Sequence, residues 1–376
     1  MTSTPREAPA SDLDPYDGVL VLSFGGPETP AQVMPFLRRV TAGKGVPDER
    51  LVSVAEHYLA RGGESPLPRL TRELAMAIEA ELTRRGAHRS VLTAYRHSSP
   101  SVLEALRDAA DRGWRRLVVV VTSAYPSYSG CRQYREDLAA GDAAARDEGI
   151  ELVVDKLAPY AATAAFRGPQ ARLLCEAVAT LSERAEPPER LVVLYVTHSI
   201  PETMDELSGP GDGDGHAYLR EHLDVAAALT SELAERIGRQ PRTRLVFCSR
   251  SGPPSQRWLA PDINDALREL AAEGARTAVV VPIGFVCDHM EVIEDLDTQA
   301  AATAAELGLR FVRVPTVGVA ADFVSGLVDL LVERAAEARG IQPAGPVAAS
   351  DTWPSLCRTG CCPNLQEHKP ALCGRD

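Results

Sequence analysis

Four near-continuous apolar, β-branched runs constrain this chain more than any other feature: Gly18-Val-Leu-Val-Leu-Ser23, Arg116-Leu-Val-Val-Val-Val-Thr122, Leu191-Val-Val-Leu-Tyr-Val196 and Thr277-Ala-Val-Val-Val-Pro282. A strand with one face in water alternates polar and apolar residues, so runs without alternation belong in a parallel sheet covered by helices on both faces. Amphipathic helical segments at 70–85 and 225–237 separate them, which predicts an α/β fold. The runs form two similar halves. The first strand of each half precedes a turn containing Pro-Glu-Thr, at 27–29 and 201–203, and the second precedes a polar-aromatic loop, at 123–126 and 283–286. The expected architecture is two doubly wound, Rossmann-like parallel-sheet halves flanking a central cleft, over 17–160 and 161–340. A disordered N-terminus (1–16) precedes them, and a linker with a cysteine-rich tail (341–376) follows.

The 40 basic and 52 acidic residues give a net charge of -12, with no Lys/Arg block. Binding to a phosphate backbone depends on clustered cations, so nucleic acid is excluded as a partner. No apolar run reaches the roughly 18 residues of a transmembrane helix, and residues 1–16 lack a signal-peptide pattern, so a cytoplasmic location is expected. Cys357, Cys361, Cys362 and Cys373 fall in the last twenty residues, a density that in a cytoplasmic chain points to metal binding rather than disulfides.

Ligands of open α/β sheets sit at the carboxyl ends of the strands. His198 directly follows one run, and Asp288, His289 and Glu291 follow another through the loop Ile283-Gly-Phe-Val-Cys287. An imidazole titrates near neutrality and binds borderline metals. A helix starting near Asp288 puts Glu291 and Asp295 four apart on one face, a ladder of hard oxygen ligands, whereas Glu294 and Asp297 are equally explained as an acidic first turn. Arg38, Arg39, Lys44 and Arg96 at a cleft mouth suit a carboxylated ligand.

These motifs resemble the ferrochelatases. The likeness runs from about Gly18 to Arg339 through Leu22-Ser-Phe-Gly-Gly-Pro27, Gly62-Gly-Glu-Ser-Pro-Leu67, Thr197-His-Ser-Ile-Pro201, Ser249-Arg-Ser-Gly-Pro253 and Pro282-Ile-Gly-Phe-Val-Cys-Asp-His-Met-Glu291. It implies a lyase-class, chelatase-fold enzyme that inserts Fe2+ into a porphyrin. His198 and Glu291 are then the catalytic and iron-contacting pair on opposite faces of a distorted macrocycle, and Asp295 is an outer metal site. Phe24 stands where some members carry a tyrosine near the metal. Arg96 and His97 match a Lys-His pair near the cleft, and Ser65, Tyr128 and Tyr134 match positions lining the porphyrin site. Metallation removes two N-H protons while the metal approaches perpendicular to the ring, so a base and a metal-delivering group are both required. Which of the pair plays which part stays open at this stage.

The tail resembles that of ferrochelatases holding a [2Fe-2S] cluster, with Cys131 as the internal ligand and three of the four tail cysteines completing it. The polar segment Val46-Pro-Asp-Glu-Arg-Leu51 favours coproporphyrin III, as in Gram-positive and actinobacterial relatives, with coproheme as product. Transient contact with neighbouring haem-pathway enzymes is also expected. The alternatives are a protoporphyrin IX ferrochelatase, a cobalt or nickel tetrapyrrole chelatase, and a non-catalytic haem or Fe-S sensor.

Overall fold

The computed structural model describes residues 12–43, 45–182, 190–252, 255–341 and 353–372. Most of the N-terminal stretch and of the linker, together with Lys44 and Cys373, therefore lies outside the described residues.

Two four-stranded sheets form the frame. The first has the order β2-β1-β3-β4, with β1 Gly18–Ser23, β2 Ser90–Tyr95, β3 Arg116–Val121 and β4 Val153–Lys156. The second repeats it as β6-β5-β7-β8, with β5 Leu191–His198, β6 Arg242–Cys248, β7 Thr277–Val281 and β8 Arg310–Arg313. All pairings are parallel. The four expected runs are the central strands β1, β3, β5 and β7, which are buried almost throughout. The edge strands are half-exposed for much of their length and carry polar residues accordingly.

Side chains alternate between two cores. Leu20, Leu22, Val119 and Val121 pack under the helices Val102–Asp111 and Gln133–Asp147. On the second sheet, Val192, Leu194, Val196 and Val280 face the helix Ile263–Ala272. The opposite faces, including Val19, Val118, Val193 and Val279, share one large core with the helices Pro66–Arg84, Ala217–Ile237 and Ala321–Ala338. That shared core joins the two sheets. In both, the order in which strands are added reverses between the first and second central strands, so the loops after β1 and β3, and after β5 and β7, splay apart and leave a crevice.

Candidate active site

A cleft of about 380 Å³ lies where those crevices meet. Phe24, Ser65, Arg96 and Tyr134 line it from the first half, and His198, Glu291 and the turn Gly284–Cys287 from the second. Gly284 is required there by close packing, because its N–H donates to the Val196 carbonyl at 3.1 Å and a Cβ would lie 2.1 Å from Thr197 Oγ1.

His198 ends β5, and its Nε2 lies 3.4 Å from Glu291 Oε2. Burial disfavours the imidazolium, but the hydrogen bond and charge of Glu291, the Ser199 carbonyl and the charge of Asp295 outweigh it and raise the His198 pKa. Asp295 is pushed up to about 6 by burial, opposed by a hydrogen bond from Ser249 and reinforced by the charge of Glu291. His289 is lowered, chiefly by burial, and its ring packs edge-on to Phe285.

The backbone under His198 is fixed by a buried network. The Tyr218 hydroxyl donates to the His198 carbonyl at 2.8 Å, and Thr197 Oγ1 contacts both that hydroxyl at 2.9 Å and His222 Nε2 at 2.8 Å. Burial lowers His222 to about 3, so it is a neutral ring, stacked on Tyr125 at 3.5 Å.

The helix after Asp288 starts at Met290, with His289 as N-cap, and is wound as a π-helix over Ile293–Ala300, a form frequent at functional sites. Its carboxylates sort by partner. Asp288 and Asp297 share Arg313, and Glu294 binds Arg61 at 2.7 Å. Glu291 and Asp295 are the two turned toward His198.

The tail residues 353–372 pack back onto the body. Arg135, fully buried, donates to the carbonyls of Ser355 and Leu372 at 2.9 and 3.0 Å, and Arg358 N–H donates to Pro210 at 3.1 Å. Trp353 Nε1 donates to Glu221 Oε1 at 3.2 Å. Cys131, Cys357, Cys361 and Cys362 are all buried. The charge of Cys131 acts on Lys156 together with Cys357, and on Cys362 together with Cys361, so the four thiols occupy one region. Among the described residues, no group of three His, Cys, Asp or Glu is placed to hold a single ion. A binuclear cluster does not require that, since its four thiolates are divided between two irons.

Comparison with known proteins adds the family. The family model described as Ferrochelatase matches residues 16–335. The chain belongs to the ferrochelatase family. Two relatives named coproporphyrin III ferrochelatase, from Streptomyces coelicolor and Streptomyces griseus, are 44% and 45% identical over 370 residues, covering 97% of this chain and 98% of each relative. Among solved structures, SirB from Bacillus subtilis with Fe3+ aligns over 86% of this chain and 97% of its own, at 12% identity and a TM-score of 0.48. No described helix is long and apolar enough to cross a membrane.

Several expectations for a ferrochelatase site need correction. The separation of His198 and Glu291 does not match the expected placement on opposite faces of a macrocycle. Both follow central strands of the second sheet, and a flat ring in contact with an atom on each side needs about 7 Å between those atoms, twice the 3.4 Å found here. They share one wall. Tyr128 turns away from the cleft lining and donates to Glu136 at 3.2 Å. Arg96 reaches the cleft but is nearly buried, ion-paired with Asp137 and lying over the Tyr134 ring at 4.8 Å. His97 backs Phe24, with ring centroids 4.7 Å apart, rather than lining the space. Arg38 pairs with Asp48, and Arg39 donates to the His97 carbonyl. Sequence reasoning missed Tyr58, which lines the cleft, and Tyr218 and His222, which fix the backbone under His198; isolated polar atoms on helices carry no periodic signal.

Proposed function

We propose that this chain is a coproporphyrin III ferrochelatase in which His198 and Glu291 act together on one face of the bound macrocycle. The observation carrying the reading is the 3.4 Å contact between His198 Nε2 and Glu291 Oε2 inside a cleft of a ferrochelatase-family protein. Fe2+ is a substrate. Two pyrrole N-H protons leave as it enters, so a base must stand over the ring nitrogens. His198, with its raised pKa, accepts each of the two protons in turn, Glu291 neutralises the imidazolium that results, and Asp295 behind them receives each proton and passes it on to water. The ring packs against Phe24, whose phenyl edge offers no hydroxyl to the metal. The preference for coproporphyrin III is supported by the names of relatives aligned over nearly the whole chain and by the polar segment 46–51.

The tail is assigned a [2Fe-2S] cluster. Its region supplies buried thiols with buried cations beside them, the donor set and charge such a centre needs. Cys131 is one ligand, and three of Cys357, Cys361, Cys362 and Cys373 complete the set. Cys362 Sγ lies 3.4 Å from both the N–H and the carbonyl of Gly209. When bound, the cluster ties the tail to the body and holds a reversible electron.

An anaerobic fluorescence-loss assay with Fe2+ tests the function. Coproporphyrin III should be consumed over many turnovers and faster than protoporphyrin IX, and His198→Ala should lose at least roughly 100-fold in rate while still binding porphyrin. Consumption limited to one equivalent would make the protein a tetrapyrrole sensor.

A further inference from the structure

The helices Val33–Val40 and Asp48–Leu59 form a hairpin with a small core of its own. Val33, Phe36 and Leu37 pack there on Leu51, Ala55 and Tyr58, and among the described residues the one buried residue that joins them from elsewhere is Met290, next to Glu291. Gly25 and Gly62 stand at the two ends of this unit with φ of 89° and 86°, in the left-handed region that other residues rarely adopt. Segments that swing as a body bend at a few such end residues. Phe36, Val40 and Tyr58 of the hairpin line the cleft, so it forms part of the wall. On its own half it is tied by the Arg39 hydrogen bond to the His97 carbonyl. On the other it is tied by Arg61, whose guanidinium donates to Glu294 Oε2 at 2.7 Å and to Thr298 Oγ1. Both of those partners lie on the π-helix Ile293–Ala300, which continues the turn bearing Glu291.

We propose that Arg61 is a latch that clamps this hairpin, a hinged cover of the cleft, onto the helix carrying Glu291. The inference rests on the reading of the cleft as a porphyrin site and deepens it. Arg61 is a positioning residue and touches neither the macrocycle nor Fe2+. With the latch made, Phe36 and Tyr58 are held against Met290, and the wall bearing Glu291 is braced from the opposite half. With it broken, the hairpin turns about its end glycines and the cleft widens. A porphyrin is a rigid plate that needs room on both faces as it enters, so entry and release both wait on that opening.

The test is stopped-flow mixing of the full chain with metal-free coproporphyrin III, followed by porphyrin fluorescence, for wild type, Arg61→Ala, Arg61→Lys and Glu294→Ala. A site that must open before it binds shows an association rate reduced by the fraction open. Breaking an ion pair at the upper end of the range for partly exposed pairs should therefore speed association and dissociation alike, by about fivefold, and leave affinity nearly unchanged. Arg61→Lys should stay closer to wild type. The double variant Arg61→Ala with Glu294→Ala should be no faster than either single one, because the two residues make one contact. Unchanged association in Arg61→Ala and Glu294→Ala overturns the latch, and so does an effect confined to dissociation, which is what mere loss of structure would give. Should Arg61→Ala not fold, Glu294→Ala decides alone, since it breaks the same pair from the other side. Wild-type protein that does not bind coproporphyrin III overturns the reading of the cleft itself, an outcome distinct from tight binding whose rates ignore Arg61.

Discussion

Replacing Glu221 with Gln should make the protein progressively more stable than wild type as pH rises. Glu221 lies on the helix Ala217–Ile237, is buried, and holds the tail through Trp353. Burial, only partly offset by the Trp353 hydrogen bond, raises its pKa from 4.5 to about 8. Between those values the native state keeps a proton that the unfolded chain has released. Stability therefore falls by about 1.4 kcal/mol per pH unit, and the loss reaches about 5 kcal/mol above pH 8. Gln keeps the acceptor for Trp353 and removes the titration. Urea unfolding of both proteins should show a variant-minus-wild-type difference that is constant below pH 4, grows from about pH 5 to 8 and then levels. A difference independent of pH would refute the burial of an uncharged carboxyl at this position.

Gly284→Ala places a methyl group within 2.1 Å of Thr197 Oγ1. It should cost about 1–3 kcal/mol by overpacking and should depress turnover more than porphyrin affinity, because Thr197 adjoins His198; unchanged kcat in a folded variant would argue against this positioning. Cys131→Ser should abolish visible absorption and acid-labile sulfide, as tested by iron and sulfide analysis of anaerobically purified protein, and a variant that keeps both would remove Cys131 from the ligand set. Glu291→Gln removes the charge that raises the His198 pKa. The imidazole should titrate at lower pH than in wild type when followed by NMR, and an upward move would show that Glu291 does not support the imidazolium.

Central strands were legible in the sequence and edge strands were not, for a physical reason. Val192 to Val196 and Ala278 to Val281 are buried on both faces and so read as unbroken apolar runs. Arg242–Cys248 and Arg310–Arg313 are covered only in part and admit arginines that mask the strand. The positions of His198 and Glu291 were legible because each follows a central strand at a point where the topology opens. Their common wall was not, since strand order says nothing about where a side chain points within a loop. Tyr128 failed for the same reason, as the π-turn Tyr128–Arg132 aims it at Glu136. Lys156, Arg135 and Glu221 look like surface charges in the sequence. Lys156 turns inward to Cys131, and the returning tail covers Arg135 and Glu221.

The arrangement of His198 and Glu291 about the substrate is tested most directly by a crystal structure of the protein with coproporphyrin III bound. The account predicts the macrocycle in the cleft beside Phe24, with both His198 and Glu291 over the same face of the ring. A ring lying between the two side chains would contradict it.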